Sequence, residues 1–290
     1  MNRCLAFFCA LLFAFVSVSS ACLAAPSEWI QFSLRAERNG SMIHATFHDD
    51  SRGEDENHWS SGFKPSELIG LDVNGFYTAG SRPLKFAIVR EAGRLDCAGS
   101  GGRAFASGNC GFTANPSFTQ ALVARGIGRP TREQSFGMMS LDVRRALIDA
   151  LAASHYPVPS IDDLLALTAV GVTPGYISDL ARVGYRPHTI NTLTEFKALD
   201  ISPAWISGLI QIGYANLPSD DLVQLKALDI DAGFIGGFER AGYHRLPVDT
   251  LVQFKALGIT PEFVRSAVGD RAPLPPAHEL VQMKLFGWRR

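Results

Sequence analysis

The sequence lacks any appreciable excess of charge of one sign. Its 290 residues include 27 Lys and Arg against 28 Asp and Glu, a formal net charge of −1. Because proteins that bind nucleic acid or anionic membrane surfaces concentrate positive charge, this balance predicts neither kind of partner. Charged residues make up only 19% of the chain and hydrophobic residues 47%, which excludes a disordered polypeptide and predicts a sizeable core.

Motifs of known catalytic sites are also lacking. His278 and Glu279 begin a match to the zinc-peptidase pattern H-E-x-x-H, but Gln282 stands where the second His is needed. The glycines of 99–102 have neither the spacing nor the strand-to-helix context of a dinucleotide fingerprint. The chain contains no G-x-S-x-G and no phosphate-binding P-loop. We therefore predict a protein that is not an enzyme and needs no cofactor.

The N-terminal segment contains an uncharged, mostly apolar run of residues. Arg3 precedes this run, which extends over 5–18, and small residues follow it. This order is typical of a secretory signal, and the run is too short for a comfortable membrane span. Cleavage after Ala24 would remove residues 1–24 and leave a periplasmic or secreted protein without a membrane span. Lipidation at Cys22 stays open as an alternative.

Cysteine is scarce, and three of its five occurrences fall within the predicted signal. The remaining two, Cys97 and Cys110, predict one disulfide in an oxidising compartment. The bond would close a short Gly-rich loop and stabilise the fold by about 3 kcal/mol. Because no C-x-x-C spacing is present to lower a thiol pKa, a structural role is favoured over a redox pair.

The C-terminal half of the chain repeats with a period of 29 residues. Tyrosines, lysines, leucines and the branched residues that open each unit all recur at this step. The tyrosines are Tyr156, Tyr185, Tyr214 and Tyr243, and the lysines are Lys197, Lys226, Lys255 and Lys284. Five units cover 143–287. A fixed period of this size predicts an array of stacked repeats.

Each unit is predicted to form two short helices. In the unit that opens at Val172, Thr173 is an N-cap and Pro174 occupies the first helical position. Gly184 stands where a left-handed C-cap belongs, and Tyr185 after it can fold back onto the helix. A second helix with apolar inward positions follows. Stacking of neighbouring units would bury the apolar faces that one helix pair leaves open.

The repeated Tyr and Lys positions have two interpretations each. The tyrosines are expected to pack in the core with their hydroxyls at the surface, and the alternative is a ladder of exposed rings for ligand stacking. The lysines are expected to form a solvated face, and the alternative is a row of ammonium groups that docks an acidic partner. The lysines assigned to this candidate partner surface are Lys197, Lys226 and Lys255.

The N-terminal part is predicted to be rich in β-strands. Polar and apolar residues alternate over 29–48, and Asn39-Gly40 is a hairpin signal. We predict an α+β multidomain fold in three parts. They are a small antiparallel β-sandwich or barrel over 25–125, a linker over 126–139, and a solenoid-like helical array over 140–290 whose first helix is capped by Ser140.

No metal site is predicted, although one stretch rich in histidine and acidic residues comes near. On a strand, His44 and His48 would stand roughly 13 Å apart, too far to share one ion. The nearest candidates for metal ligands are His48, Asp49, Asp50 and His58. Because the acidic run does not match the spacing of a calcium loop, a solvated acidic hairpin loop is the favoured interpretation.

Two segments resemble a known bacterial family. One is the repeat phrase FKALGITPEFV at 254–264, and the other joins 86–97 to 110–116. They are similar to the region that follows the membrane peptidase domain in some regulatory sensor metallopeptidases of the antibiotic-response type. The resemblance covers about 84–287. It implies an envelope interaction or sensing module, and no catalytic residue is carried over because the peptidase domain is not part of the match.

Three functions are consistent with these patterns. The first is a non-enzymatic interaction or sensing module that binds another envelope protein. The second is binding of a glycan or another small ligand by the β domain, for which Trp29, Trp59 and Phe63 are a candidate platform. The third is a hydrolase with an unrecognised site, which a deep cleft lined by His44, His48, His58 or Asp49 would support. Neither the partner nor the oligomeric state is predicted.

Overall fold

A six-stranded sheet comes first in the chain, and a long series of helices follows it. This order confirms the predicted α+β class with a helical array. The computed structural model describes residues 30–37, 41–49, 57–269 and 273–287. The predicted signal peptide, Trp29, the Asn39-Gly40 turn and Asp50 lie outside the described residues.

The sheet is antiparallel throughout, with the strands in the order β3-β2-β1-β6-β5-β4. The strands are β1 (Ile30–Ala36), β2 (Ile43–Asp49), β3 (Asn57–Phe63), β4 (Arg82–Arg90), β5 (Gly93–Gly102) and β6 (Phe105–Ala114). Strands β1 and β6, the first and the last of these six along the chain, are neighbours at the centre of the sheet. The prediction of a sandwich or barrel is wrong, because the sheet is single and open.

Only one face of this sheet is apolar, and helices cover it. Along β1, the buried Ile30, Phe32 and Leu34 alternate with more exposed polar residues. The short helix α1 (Val73–Tyr77) contacts β4, β5 and β6, and α3 (Arg132–Leu141) contacts β5 and β6. Because these helices supply the second layer, no second sheet is needed to bury the apolar face.

Cys97 and Cys110 are paired directly across β5 and β6 and form a disulfide, with Cα atoms 4.0 Å apart. The bond confirms the predicted pairing. The Gly-rich residues between them are not an irregular loop, however, since they continue both strands to a tight turn. Arg103 and Ala104 form that turn with φ of 54° and 62°, the two left-handed residues of a type I′ hairpin.

Helices α2 to α13 build the array. They are α2 (Pro116–Ala124), α3, α4 (Arg145–Ala153), α5 (Ile161–Ala169), α6 (Pro174–Arg182), α7 (Ile190–Ala198), α8 (Pro203–Gln211), α9 (Ser219–Ala227), α10 (Ala232–Arg240), α11 (Val248–Ala256), α12 (Pro261–Val268) and α13 (Ala277–Phe286). Even-numbered helices pack on even-numbered neighbours and odd-numbered helices on odd-numbered ones from α3 to α12. From α3 to α10, each helix therefore contacts its own equivalent in the next unit, as a stacked array requires.

The array begins earlier than predicted. Helices α2 and α3 start 29 residues before α4 and α5, so within the described residues there are six helix pairs, not five. The range 126–139, predicted as a linker, holds most of α3. Its repeat character was hidden because Ile127 stands in the Tyr position and Met139 in the Lys position. Ser140 lies inside α3 and is buried, so it does not cap a helix.

Both caps predicted for the helix between Thr173 and Gly184 are present in the structure. The hydroxyl of Thr173 accepts a hydrogen bond from the Tyr176 amide at 3.1 Å. After the same helix, Gly184 has φ of 76°, and the Tyr185 amide donates to the Leu180 carbonyl at 3.0 Å. This is the Schellman pattern that ends a helix and turns the chain toward the next one.

No single helix among the described residues is long and apolar enough to cross a membrane. Helices α5 and α6 reach the length and apolar composition of a membrane span only when they are counted together. Their axes are bent by 81° at the break between them.

Candidate functional site

The sheet is attached to the array by an arginine at the end of β4. The Arg90 guanidinium donates to the carbonyls of Met139 and Ser140, at 2.8 and 2.5 Å, in the last turn of α3. The Met139 carbonyl also accepts from the Asp142 amide at 3.2 Å, so the guanidinium adds to the capping of this helix end, where a cation complements the helix dipole. Only 17% of the Arg90 side chain is exposed, and this burial lowers its pKa, with the Asp142 carboxylate 4.0 Å away opposing the shift.

The next residue, Glu91, caps the following helix. Its carboxylate accepts a hydrogen bond from the backbone amide of Arg145 at 3.0 Å, at the start of α4. Arg144, at the N-cap position of that helix, makes no side-chain cap of its own. The Glu91 carbonyl also accepts from the Asn115 side-chain amide at 2.9 Å, just before α2. Two adjacent residues of opposite charge thus hold the C-terminus of α3 and the N-terminus of α4.

A cavity of about 420 Å³ lies between β3 and the first helices of the array, and we call it the junction cavity. Its apolar walls are Trp59 of β3, Phe136 and Leu141 of α3, and Leu165 of α5. The volume is within the range of small-molecule sites, and the mixture of apolar walls with few polar groups is also typical of them. The cavity exists only because the sheet and the array are packed together.

Trp59 is the one residue of the predicted aromatic platform that lines this cavity. Phe47 stacks on its indole with ring centroids 4.7 Å apart, and the Arg90 guanidinium lies 5.5 Å from the indole centroid. Phe63 is buried beneath, edge-on to Trp59 at 5.8 Å. Trp29 lies outside the described residues. Of the two platform residues that the structure describes, Trp59 lines the cavity and Phe63 is buried.

Polar groups of the junction cavity come from α3 and α5. Glu133, Gln134 and Asp162 line it, and the Gln134 side-chain amide donates to Asp162 at 3.0 Å. Ser140 also lines it and is only 7% exposed. The Ser140 hydroxyl has no hydrogen-bond partner among the described residues. No sequence pattern marked this position, because its burial depends on where the sheet meets the array.

A second cavity, of about 610 Å³, lies between α10 and α12, and we call it the array groove. Among the described residues that line it, three are cationic, namely Arg240, Lys255 and Arg265, and one is a carboxylate, Glu262. Glu262 already pairs with Arg265 at 2.7 Å. The groove is thus positive in a chain whose formal net charge is −1.

The repeated lysines are not a simple solvated face. Each ammonium lies over an aromatic ring of the preceding even-numbered helix, at 4.7 to 5.7 Å from the ring centroid. The pairs are Lys197 with Tyr176, Lys226 with Trp205, Lys255 with Phe234, and Lys284 with Phe263. The aromatic residues are themselves 29 positions apart, so an aromatic position repeats together with the lysines.

Lys255 shows how this arrangement ties three helices together. Its ammonium lies 4.7 Å from the Phe234 centroid and donates to the Asp229 carbonyl at 2.9 Å, just after α9. Lys255→Met is expected to lower the free energy of unfolding by about 1 kcal/mol, because the cation–π contact and the helix-end contact are both lost. Urea denaturation would measure the loss. Lys85→Met, on an exposed part of β4, is the matched control and should be nearly neutral.

The tyrosine rings pack into the core as predicted, but the expected placement of the hydroxyls at the surface is wrong for Tyr214, whose hydroxyl makes a buried hydrogen bond. Tyr156, Tyr214 and Tyr243 are at most 9% exposed, so they form no ladder of exposed rings. The hydroxyls of Tyr214 and Tyr243 donate to the carbonyls of Leu246 and Pro275, at 2.7 and 2.6 Å, in the following unit. Burial raises the pKa of Tyr156 to about 12. These side chains therefore join neighbouring units and are not a ligand surface.

The candidate metal ligands are not gathered into a site in the part of the chain that is described. His48 pairs in register with His58 across β2 and β3, on the polar face of the sheet. Asp50 lies outside the described residues, as do the side chains of Asp49 and His58. No group of three or more His, Cys, Asp or Glu among the described residues is placed to hold an ion. Neither His44 nor His48 lines the junction cavity or the array groove.

Comparisons with known proteins identify no relative of this chain from which a function could be inferred. No protein-family model matches this chain, and searches among curated proteins and among solved structures found no match either. The resemblance to the non-catalytic region of sensor metallopeptidases therefore stays a prediction.

Proposed function

We propose that this protein is a non-enzymatic interaction module of the bacterial envelope, and that its array groove binds an acidic segment of another protein. The observation that carries the proposal is the excess of cationic side chains in the groove, namely Arg240, Lys255 and Arg265 against Glu262. A positive concave surface on a nearly neutral protein selects partners by charge complementarity.

The shape of the groove favours an extended or helical segment as the ligand. Helix α10 carries Gly233 and Gly237 where the groove passes, so its backbone is little covered by side chains. The half-exposed ring of Phe234 supplies an apolar contact between the cations. A peptide with both acidic and apolar side chains matches this lining. Because the helices are fixed by repeat packing, the groove is formed before the partner binds, which lowers the entropic cost of binding.

A location outside the cytoplasm is supported by two features. The apolar N-terminal run predicts secretion, and the buried Cys97–Cys110 disulfide is of a kind that persists mainly in oxidising compartments. The mass of the protein isolated from its host tests both features together. We expect a mass that lacks residues 1–24 and the two thiol hydrogens, whereas a full-length reduced chain would contradict the proposed location.

A labelled peptide of alternating Glu and Leu tests the groove directly. Fluorescence anisotropy should show binding that weakens as salt is added. The double variant Arg240→Gln/Arg265→Gln should weaken the affinity by about tenfold or more, since two charges facing the peptide are removed. Arg182→Gln is the matched control, because Arg182 ends α6 as Arg240 ends α10. It should bind like the wild type.

Two results would overturn the assignment of the groove. One is equal affinity of the double variant and the wild type. The other is equal binding of a peptide in which Lys replaces Glu, since the groove would then not select negative charge.

A further inference from the structure

We propose that the acidic segment bound by the array is a proline-rich chain in the polyproline II conformation, with a carboxylate at every third residue. This inference rests on the proposed function, because it specifies the same partner and extends its contact from the array groove to the neighbouring units. Three properties of helices α6, α8, α10 and α12 support it: their aromatic rings, the lysines held over those rings, and the distance from one helix to the next.

One ammonium group lies over a ring of each of these four helices, 4.7 to 5.7 Å from the ring centroid. The ammonium groups belong to Lys197, Lys226, Lys255 and Lys284, which we call the lysine row. No member of the row forms an ion pair with a carboxylate in the part of the chain that the structure describes. Lys255 donates to the backbone carbonyl of Asp229 and not to its carboxylate. The row therefore holds positive charges at fixed points and leaves their counter-ions to solvent or to a partner.

The rings beneath the lysine row supply the apolar part of the surface. They are the side chains of Tyr176, Trp205, Phe234 and Phe263, and all four are half-buried, so part of each ring is accessible. Proline-rich segments bind to surfaces lined by aromatic rings, because their polyproline II conformation exists before binding and costs little entropy to fix. A proline-rich chain thus matches the rings, as acidic side chains match the lysines.

The distance between neighbouring units selects this conformation. Helices α6, α8, α10 and α12 each pack on the next one. Packed helices lie about 8–10 Å apart, and the lysine row advances by that step because its members occupy equivalent positions. Polyproline II has three residues per turn and a rise of about 3.1 Å, so one turn advances about 9 Å and returns every third side chain to the same face. A carboxylate at every third residue would therefore meet one lysine in each unit.

Other backbone conformations of the partner match this step less well. Side chains of a β-strand return to the same face after two residues, a distance of about 6.6–6.8 Å. An α-helix returns a side chain to the same face after one turn of about 5.4 Å, or after two turns of about 10.8 Å. Because neither repeat falls within about 8–10 Å, the charges of a strand or a helix would lose register with the lysine row from one unit to the next.

Labelled peptides that share one composition test the spacing of the charges. Fluorescence anisotropy with the full chain should show that a peptide of four Glu-Pro-Pro triplets binds at least about tenfold more tightly than a peptide in which the same four glutamates are adjacent. Replacement of every proline by glycine keeps the charges in order but removes the preformed conformation, and it should weaken binding by about tenfold. Added salt should weaken the binding of the triplet peptide.

Two lysines that do not line the array groove test whether the contact extends along the array. Lys197→Gln/Lys226→Gln should weaken the triplet peptide by about tenfold or more, since two charge contacts are lost. Lys197→Arg/Lys226→Arg keeps both charges and should keep the affinity. Lys64→Gln/Lys85→Gln removes the same charge from two exposed positions of the N-terminal part and is the matched control. Circular dichroism of each variant establishes that it is folded before its affinity is compared.

The results distinguish this inference from the proposed function. Equal affinity for the triplet peptide and the peptide of adjacent glutamates would overturn the polyproline II partner, and so would an unchanged affinity of the Lys197→Gln/Lys226→Gln variant. In either case, binding of the alternating Glu and Leu peptide that depends on Arg240 and Arg265 would still support the array groove. If no acidic peptide binds, the proposed function fails and this inference fails with it.

Discussion

Replacement of Arg90 by Met is expected to lower the free energy of unfolding by about 3 kcal/mol, since two hydrogen bonds to a buried charge are lost. The variant removes the guanidinium that donates to the carbonyls of Met139 and Ser140, of which Met139 keeps the Asp142 amide, and it takes a buried cation from beside the Asp142 carboxylate. It also removes the cation from Trp59 and Phe63, whose centroids lie 5.5 Å from the guanidinium. Urea denaturation followed by circular dichroism would measure the change.

The control for this prediction is Arg94→Met on the neighbouring strand. Half of the Arg94 side chain is exposed, and its ion pair is made with Asp96 at 2.6 Å on the same strand. An exposed pair of this kind contributes at most about 1 kcal/mol. If Arg90→Met and Arg94→Met destabilise the protein equally, Arg90 does not hold the array on the sheet.

Loss of the disulfide should have an effect of similar size. The double variant Cys97→Ala/Cys110→Ala is expected to lose about 3 kcal/mol, because the unfolded chain is no longer cross-linked. Both side chains are buried in the sheet core, so the smaller alanines also lose packing contacts. The measurement is the urea midpoint of the wild type, with and without dithiothreitol, beside that of the variant.

The reductant supplies an internal check on this result. The wild type should be destabilised by dithiothreitol to near the stability of the double variant, and the variant should not respond at all. An equal midpoint for oxidised and reduced wild type would show that the bond contributes nothing to stability. In that case the cysteines would have to be explained by something other than a structural role.

The Arg90 prediction concerns a contact on which the junction cavity depends. Arg90 and Glu91 hold the ends of α3 and α4 at the edge of β4, and this fixes Phe136 and Ser140 relative to Trp59. A variant that loosens this contact should therefore change the junction cavity as well as the stability of the fold.

The sequence contains the local structure of the array almost completely. A cap such as Thr173 with Pro174, followed after one helix by Gly184, specifies where that helix begins and ends. These signals act over a few residues, through backbone hydrogen bonds and restricted φ angles, so they can be read without knowledge of distant contacts. The 29-residue step then repeats the signals along the chain.

The pair α2 and α3 was not predicted to belong to the array, because its residues at the repeated Tyr and Lys positions differ from those of the later units. Ile127 stands in the Tyr position of this unit and Met139 in its Lys position, and Met139 is fully buried. The cap signal Asn115-Pro116 was still present. Terminal units of an array are expected to be atypical, since each has a neighbour on one side only.

By itself, the sequence determined the alternation of β1, the disulfide pair, the helix caps and the period of the array. Only the tertiary structure decided that the sheet is open, that Arg90 and Glu91 join it to α3 and α4, and that Trp59 meets Ser140 across a cavity. The physical reason is the distance along the chain over which each interaction acts. Periodic patterns record the burial and φ angles of neighbouring residues, whereas the joining of two distant segments depends on the summed packing of many side chains, and no short stretch of sequence contains that sum.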